Sequence, residues 1–258
     1  INMYKYICGI VGYPLKNPRS VPLWKSFFKK NKIKSKMKIF NIKPSSINNF
    51  VKEIKKDEKF LATAISMPYK ILMVKHADEL DKYAKNAKSI NLLVKKNNSF
   101  CGYNTDIFGA MHSIRKYISR YDNITIIGFG GTGEALFNYL YSNYPKKNFS
   151  IITSKYKSKN KKRVKKYKKL DSSLLIKKKL LINCTPLGSN LKKSYIKKSS
   201  ISNELFKSVN KSSMIFDVVY SPKKTIMQKL AKKNKVKYIN GLQMNTSQAK
   251  QALKIVFK

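Results

Sequence analysis

Residues Ile124–Ala135 read ITIIGFGGTGEA, a short β-branched run that breaks into the spacing G-x-G-x-x-G and continues with helix-forming residues. This order is typical of the strand–turn–helix unit that opens a dinucleotide-binding domain. There Gly128 permits the tight turn, Gly130 lets the backbone approach a pyrophosphate, and Gly133 lets the helix pack close to the strand. The helix N-terminus then directs free N–H groups at the anion. A glycine-rich turn without a ligand is the alternative that this motif alone leaves open.

Strand-like and helix-like segments alternate on both sides of this motif, which is the pattern of an α/β protein with parallel sheets. We predict strands over Tyr6–Val11, Met37–Ile42, Leu61–Ser66, Ile90–Val94, Ile124–Ile127, Phe149–Thr153, Leu180–Cys184, Met214–Val219 and Val236–Ile239. We predict helices over Val21–Lys32, Ser46–Lys56, Asp78–Asn86, Asp106–Ile118, Glu134–Ser142, Ile226–Lys233 and Gln243–Phe257. The lysine-rich runs Lys155–Lys169 and Lys192–Lys198 are predicted to be surface helix or loop.

The position of the glycine motif predicts the domain organisation. A chain of 258 residues is long enough for one large domain or two smaller ones. Because the motif opens a second α/β segment in mid-chain, we expect two α/β domains with a cleft between them. One would hold a substrate and the other a cofactor.

The charge of the chain is strongly positive, with 52 lysines and four arginines against 12 acidic residues and a net charge of +44. A protein built to bind nucleic acid would be expected to use more arginine, whose planar fork recognises phosphates and bases. The lysines are also spread along almost the whole chain beside abundant Asn and Ile, which indicates a genome biased toward A/T-rich codons. We therefore expect a solvated basic surface with non-specific attraction to polyanions and no specific nucleic-acid partner.

The same surface predicts a stability that depends on salt. Repulsion among the unpaired lysines opposes the compact state, and dissolved ions screen that repulsion. The melting temperature is therefore expected to rise between low and moderate ionic strength, as measured by calorimetry. A melting temperature that stays flat or falls over this range would contradict the prediction.

Three cysteines, all in apolar or strand-like settings, predict buried free thiols in a reducing compartment. They are Cys8, Cys101 and Cys184. The two histidines are isolated from one another and from the cysteines, so no metal site is expected. The chain has neither a signal-peptide pattern at its start nor an apolar stretch long enough to span a membrane. These features predict a cytoplasmic protein with no membrane partner.

A lysine and an acid form a candidate pair for proton transfer. Lys70 follows the predicted strand Leu61–Ser66 on a proline-fixed turn, where α/β sheets place their ligands. Asp106, one of few acids, follows a Gly-x-Asn-Thr turn at the start of a predicted helix. The carboxylate can hold and orient the ammonium, which supports proton transfer to a developing alkoxide. For Asp106 the alternative is a residue that only complements the helix dipole.

The region after the second strand of the glycine-rich segment indicates which dinucleotide binds. An NAD site usually has Asp or Glu about twenty residues past the glycines, where it binds the ribose 2′-OH. Between Glu134 and Asp171 the sequence has no acidic residue, and Thr153-Ser154-Lys155 follows the strand instead. Hydroxyls and cations suit a 2′-phosphate, so NADP is favoured over NAD.

Taken in order, these motifs resemble those of the shikimate dehydrogenase family over nearly the whole chain. The matching segments are Gly12–Pro14, Ile65–Lys70, Ser89–Leu93, Gly102–Gly109, Gly128–Ala135, Asn183–Gly188, Asp217–Thr225, Gly241–Met244 and Gln248–Ala249. The resemblance implies reversible NADPH-dependent reduction of 3-dehydroshikimate to shikimate, a step of aromatic amino-acid (chorismate) biosynthesis. The expected partners are this small-molecule substrate and NADP, and the expected quaternary state is a monomer or a homodimer.

The resemblance also implies roles for individual residues and bounds for the domains. Lys70 and Asp106 would be the catalytic pair, with Lys70 supplying or accepting the proton. The implied substrate-binding residues are Ser20, Ser66, Asn91, Tyr220 and Gln248. The implied cofactor-binding residues are Gly128, Gly130, Gly131, Thr132, Gly133, Thr153, Ser154, Lys155, Thr185, Val218 and Gly241. Residues 1–105 with the returning helix 241–258 would bind the substrate, and residues 106–240 would form the NADP-binding Rossmann domain.

The chain departs from the family pattern where the family binds the substrate carboxylate. The family's H-S-x-S-P becomes Asn17–Val21, so Pro18 replaces one of two serines, and Ala64 replaces a family asparagine. We hypothesise that Arg19 or a lysine compensates by its charge. The alternatives are an NAD-using quinate/shikimate dehydrogenase and a degenerate member that binds nucleotide without catalysis. The missing carboxylate after the second strand argues against the first, and the retained catalytic and substrate-binding residues argue against the second.

Overall fold

The computed structural model describes residues 4–16, 18, 20–154 and 162–257. It confirms the predicted α/β class, since helices alternate with strands that form two sheets of six strands each. The chain divides into two compact units. Unit 1 comprises Ile1–Thr105 and Gln248–Lys258, and unit 2 comprises Asp106–Ser247. Which unit binds substrate and which binds cofactor stays a prediction at this point.

Unit 1 is built on a mixed sheet with the strand order β2-β1-β3-β5-β6-β4. Its strands are β1 (Tyr6–Gly12), β2 (Ser35–Asn41), β3 (Phe60–Ile65), β4 (Glu79–Leu80), β5 (Leu92–Lys96) and β6 (Ser99–Tyr103). Its helices are α1 (Ser20–Lys30), α2 (Ile47–Lys56) and α3 (Lys82–Ala87). The sheet is mixed because β5 runs antiparallel to both β3 and β6, while β1 pairs in parallel with β2 and β3.

The sheet of unit 1 buries an apolar cluster on each face. One cluster includes Phe50 and Ile54 of α2 with Phe100 of β6. The other joins Trp24 and Phe28 of α1 to the last turns of the C-terminal helix. That helix contributes Ala252, Leu253, Ile255 and Val256 to the cluster. Phe257 follows it, and its ring centroid lies 5.5 Å from that of Phe28. The end of the chain is thus part of the core of unit 1.

Unit 2 is built on a fully parallel sheet with the strand order β12-β11-β10-β7-β8-β9. Its strands are β7 (Asn123–Ile127), β8 (Asn148–Ile152), β9 (Val164–Tyr167), β10 (Leu180–Asn183), β11 (Met214–Asp217) and β12 (Lys237–Asn240). Its helices are α4 (Thr105–Ile118), α5 (Gly131–Asn143), α6 (Lys193–Ile196), α7 (Asn203–Phe206), α8 (Ile226–Lys233) and α9 (Leu242–Val256), of which α4 begins and α9 ends in unit 1. The strand order reverses between β7 and β10, and doubly wound sheets bind ligands at the carboxyl ends of the strands at this point.

The structure differs from the predictions at three places. The helix predicted over Asp78–Asn86 begins only at Lys82, because Asp81 caps it by accepting the Ala84 N–H at 2.7 Å, and the preceding residues form β4. Strand β6 was not predicted. Strand β9 lies inside the run Lys155–Lys169, for which helix or loop is predicted. The other predicted helices and strands are found with bounds that differ by at most three residues.

The described residues contain no helix long and apolar enough to cross a membrane. Within the same ranges, His, Cys, Asp and Glu side chains do not gather into a group of three or more that could hold a metal ion. The cysteines are free thiols, with Cys8 and Cys101 buried. Burial raises the pKa of Cys8 to about 11, so this thiol stays protonated at neutral pH.

Candidate active site

The glycine-rich turn between β7 and α5 is held by contacts that leave no room for side chains at two positions. Gly128 has a φ of +90°, and a Cβ there would lie 2.7 Å from Cγ2 of Thr185. A Cβ on Gly133 would lie 2.1 Å from the carbonyl oxygen of Gly128. At Gly130 the same construction meets no atom within 4 Å. The turn is therefore tightly packed against the protein at Gly128 and Gly133, and it leaves open space at Gly130, where a phosphate can approach.

A cavity of about 530 Å³ lies beside this turn. Its volume is in the range of small-molecule sites. The residues that line it come from the ends of β7 and β8, from the loops after β7, β8, β9 and β10, and from α7 with the segment before it: Ile127, Gly128, Phe129, Gly130, Ile152, Thr153, Ser154, Lys168, Lys169, Leu170, Thr185, Leu187, Ser199, Ser200, Ser202 and Leu205. Five of the predicted cofactor-binding residues are among them, namely Gly128, Gly130, Thr153, Ser154 and Thr185.

The other predicted cofactor-binding residues lie elsewhere in unit 2. Gly131, Thr132 and Gly133 form the first turn of α5. Val218 and Gly241 are packed against each other, since a Cβ added to Gly241 would lie only 2.1 Å from the Val218 carbonyl oxygen. Neither residue lines the cavity. Lys155 lies outside the described residues.

Sequence reasoning missed several residues of the cavity wall. Lys168 and Lys169 belong to a run that the sequence does not distinguish from the rest of the lysine-rich surface. Ser199, Ser200 and Ser202 precede α7 in a segment that carries no motif. For the serines the sequence holds a weak signal, because Ser202 is a helix N-cap whose Oγ accepts the Leu205 N–H at 3.2 Å. For the lysines it holds none, since most neighbouring residues are also lysine.

A buried polar network fixes the loops after β10 and β11. Asn183 donates from Nδ2 to Oδ1 of Asp217 at 2.8 Å, and its own Oδ1 accepts the Thr185 hydroxyl at 2.8 Å. Tyr238 donates to Oδ2 of Asp217 at 2.8 Å, and the Val219 N–H donates to Oδ1 at 3.1 Å. Burial raises the pKa of the Asp217 carboxyl, and these donors oppose the shift. The network thereby holds Thr185 against Gly128 at the cavity wall.

Removing the Tyr238 hydroxyl tests this network. The Tyr238→Phe variant is expected to lose about 1.5 kcal/mol of stability, because the hydrogen bonds of its hydroxyl to the fully buried Asp217 carboxyl group and to the Thr225 hydroxyl disappear. Calorimetric unfolding of the two proteins measures the difference. Tyr195→Phe is the matched control, since Tyr195 is half-buried in the short helix α6, and it should change stability by less than about 0.5 kcal/mol. Equal losses in both variants would contradict the assignment.

In unit 1 the structure joins two predicted substrate-binding residues through a third residue. Asn91 donates from Nδ2 to the Thr105 hydroxyl at 2.9 Å, and its Oδ1 accepts the Thr105 N–H at 2.8 Å. The Thr105 hydroxyl donates to Oε1 of Gln248 at 3.1 Å. This arrangement leaves the Gln248 amide NH₂ as a donor for a ligand. Thr105, which is 1% exposed, was not predicted as a site residue.

Backbone hydrogen bonds place Ser66 and Lys70 next to Asn91. The Ile65 N–H donates to the Asn91 carbonyl at 2.7 Å, so Ser66 is the first residue past this pairing. The Ile90 N–H donates to the Lys70 carbonyl at 2.8 Å. Both Ser66 and Lys70 are half-buried. Asp106 directly follows Thr105 in the chain and lies in the first turn of α4.

The remaining predicted site residues have separate environments. Ser20 begins α1, and its Oγ is buried without a hydrogen-bond partner among the described residues. Tyr220 is half-buried in the loop after β11, in unit 2. Arg19, the residue hypothesised to compensate for Pro18, lies outside the described residues, as does Asn17.

Comparison with known proteins connects the chain to one group of enzymes. Residues 10–93 match the family model of the shikimate dehydrogenase substrate binding domain. The shikimate dehydrogenase (NADP(+)) of Clostridium botulinum strain Hall is 29% identical over 254 residues, which cover 96% of this chain and 95% of that protein. The resemblance predicted from the motifs is thereby confirmed.

Solved structures extend this comparison to the fold. A chorismate mutase/shikimate 5-dehydrogenase fusion protein from Clostridium acetobutylicum has a TM-score of 0.80 and 26% identity, covering 98% of this chain and 91% of that one. Shikimate 5-dehydrogenase from Thermus thermophilus, solved with NADP(H) and shikimate, has a TM-score of 0.78 and 18% identity, covering 98% and 93%. At that identity the second comparison supports the fold alone.

Proposed function

We infer that this chain, which resembles shikimate dehydrogenases over 96% of its length, is an NADP-dependent oxidoreductase that reversibly reduces 3-dehydroshikimate to shikimate. The observation that carries the proposal is that the chain holds both an open glycine turn between β7 and α5 of a doubly wound sheet, in unit 2, and a lysine-bearing polar site, in unit 1. The turn suits a dinucleotide, and the polar site suits a ketone that carries hydroxyl groups. The reaction belongs to aromatic amino-acid biosynthesis.

The residues of unit 2 fit a dinucleotide. Backbone N–H groups at the start of α5 can bind the pyrophosphate, and the absence of a Cβ at Gly130 leaves the space that a phosphate needs. No carboxylate is found among the described residues that line the cavity, so nothing there repels a 2′-phosphate. When bound, NADPH supplies the hydride. The missing carboxylate favours NADP over NAD, so the NAD-using alternative is the weaker one.

The residues of unit 1 fit a polyhydroxylated ketone. Asn91 and Gln248 are oriented by Thr105, so their remaining amide N–H groups are available to substrate oxygens. Ser66 can donate or accept from the end of β3. The buried Oγ of Ser20 has no partner among the described residues and can donate to the substrate carboxylate.

The chemistry assigned to Lys70 and Asp106 is the transfer of one proton. Reduction adds a hydride to the carbonyl carbon, and the oxygen then takes a proton from Nζ of Lys70. The role assigned to the carboxylate of Asp106 is to hold and orient the Lys70 side chain during this transfer. In the reverse direction Lys70 accepts the hydroxyl proton as the hydride leaves.

Oxidation of NADPH by the purified protein with 3-dehydroshikimate tests the proposal. We expect turnover with NADPH and at least about tenfold lower kcat/KM with NADH. Turnover that favours NADH would support the NAD-using quinate/shikimate dehydrogenase alternative. Binding of NADPH without turnover of 3-dehydroshikimate or quinate would support a non-catalytic member.

A further inference from the structure

Two lysines in the cavity wall stand out from the general lysine surface by their position. We propose that Lys168 and Lys169 bind the 2′-phosphate of the dinucleotide and thereby set the preference for NADP. This inference rests on the proposed function and adds to it the residues that recognise the cofactor. It places recognition of the 2′-phosphate in the loop after β9. The sequence instead indicated the Thr153-Ser154-Lys155 segment, which follows the neighbouring strand β8.

Strand pairing brings the two lysines to the place where the ribose is expected. Strands β8 and β9 pair in parallel from Phe149 to Ile152, and the Thr153 N–H continues the ladder by donating to the Tyr167 carbonyl at 3.0 Å. The backbone of Lys168 therefore lies beside the end of β8, at the spacing of about 4.8 Å that separates the backbones of neighbouring strands. In doubly wound sheets the residues at the end of this second strand bind the adenosine ribose.

The charge of the cavity wall points to an anion. Lys168 and Lys169 are the charged side chains among its described lining residues, and no acid offsets them. Both side chains are exposed and can therefore be reached by a ligand in the cavity. The chain has no arginine between Arg120 and Arg163, so the bidentate recognition of a 2′-phosphate that arginine provides is missing from the end of β8. A pair of lysines supplies the same charge from the neighbouring strand.

The serines of the cavity wall point to a ligand with several acceptor oxygens. Ser200 has a buried Oγ without a hydrogen-bond partner in the part of the chain that the structure describes. The Oγ atoms of Ser199 and Ser202 accept the N–H groups of Ile201 and Leu205 at 3.3 and 3.2 Å. Each hydroxyl hydrogen therefore remains free to donate. Hydroxyl donors and two cations around one cavity suit a phosphorylated ribose.

Binding of two small fragments tests the proposal without the reaction. The probes are 2′,5′-ADP, which carries the 2′-phosphate, and 5′-AMP, which lacks it, measured by isothermal titration calorimetry on the full chain. In the Lys168→Met/Lys169→Met variant the Kd for 2′,5′-ADP should rise roughly 10- to 100-fold, because charge-assisted hydrogen bonds are lost. The Kd for 5′-AMP should change by less than about threefold.

The control must remove the same charge elsewhere, because a chain of this net charge attracts any anion. Lys232 and Lys233 are adjacent, exposed and outside the cavity wall, at the end of α8. The Lys232→Met/Lys233→Met variant should leave the Kd values of both probes within about twofold. An equal loss of 2′,5′-ADP binding in the two double variants would overturn the proposal in favour of general electrostatic attraction.

Kinetics separate this proposal from the proposed function. If the wild type reduces 3-dehydroshikimate with NADPH but the Lys168→Met/Lys169→Met variant keeps the wild-type ratio of KM values for NADPH and NADH, the lysine assignment is wrong and the function stands. If the wild type does not turn over this substrate but the variant loses 2′,5′-ADP binding selectively, the assignment stands and the substrate is wrong. Failure of the wild type to bind either probe would overturn the assignment together with the cofactor.

Discussion

Replacing Lys70 by alanine is expected to lower kcat for 3-dehydroshikimate reduction by about 1,000-fold, within the range that general acid catalysis supplies. The carbonyl oxygen would then have to take its proton from water. Because the Lys70 carbonyl, not its side chain, accepts the Ile90 N–H, the fold around Asn91 should survive the change. The KM should change little if the proton is transferred only in the transition state. NADPH oxidation measured under saturating substrate gives both constants.

Two further variants decide what the Lys70 result means. Lys75→Ala removes an exposed lysine five residues further on and should leave kcat within about twofold. Lys70→Arg keeps the positive charge but holds its proton too tightly to transfer it, so it should be nearly as slow as Lys70→Ala. If Lys70→Arg instead restored most of the activity, charge alone would suffice and proton transfer from Lys70 would be excluded. Activity of Lys70→Ala within tenfold of wild type would remove Lys70 from the mechanism.

The second large effect is expected at Gly133, where alanine should destabilise unit 2 and abolish dinucleotide binding. The added Cβ would lie 2.1 Å from the Gly128 carbonyl oxygen, which is backbone and cannot rotate away. A clash of this kind costs about 3 kcal/mol, and the turn must open to relieve it. The corresponding drop in melting temperature is roughly 6–12 °C for a protein of this size. Calorimetry and NADPH titration measure the two losses separately.

The same substitution at Gly130 is the matched control for Gly133. A Cβ at Gly130 meets no protein atom within 4 Å, so Gly130→Ala should melt within about 2 °C of wild type. It should nevertheless weaken NADPH binding, because the methyl group would enter the space assigned to the pyrophosphate. Wild-type affinity in Gly130→Ala would argue against the position of the pyrophosphate. A wild-type melting temperature in Gly133→Ala would show that the turn is more compliant than the contact implies.

The fold was predictable where burial left a periodic pattern in the sequence. Strand β7 and its glycine turn were found because apolar β-branched residues and obligatory glycines coincide there. The hairpin from β5 to β6 was not predicted, because its turn is Asn97-Asn98, both with positive φ, and lacks the Asn-Gly pair that marks such turns. Strand β9 was not predicted, because only Val164 of its four residues is buried and the sequence there lacks the apolar pattern of a strand.

For the candidate site, the sequence indicates residues whose type and position suggest a chemical role, and these roles stay predictions. Lys70, Asp106 and the glycines could be picked out by their place after a strand or at a helix start. Thr105 could not, because its role depends on a contact with Gln248 that lies 143 residues further along the chain. Lys168 and Lys169 could not be picked out either, because nothing in the sequence distinguishes them from the other lysines among the 52 in the chain. Only the strand order distinguishes them from their neighbours.

The path of the C-terminal helix has a consequence for synthesis on the ribosome. Most proteins with several domains can fold the N-terminal one while the rest is still being translated. Here unit 1 requires Gln248–Lys258, and Leu253 and Phe257 cover Trp24 and Phe28. Unit 1 therefore begins to emerge before unit 2 and is completed after it, so its aromatic face stays uncovered while unit 2 is translated. Unit 1, which holds Lys70, is completed only once Gln248 and the residues after it have been translated.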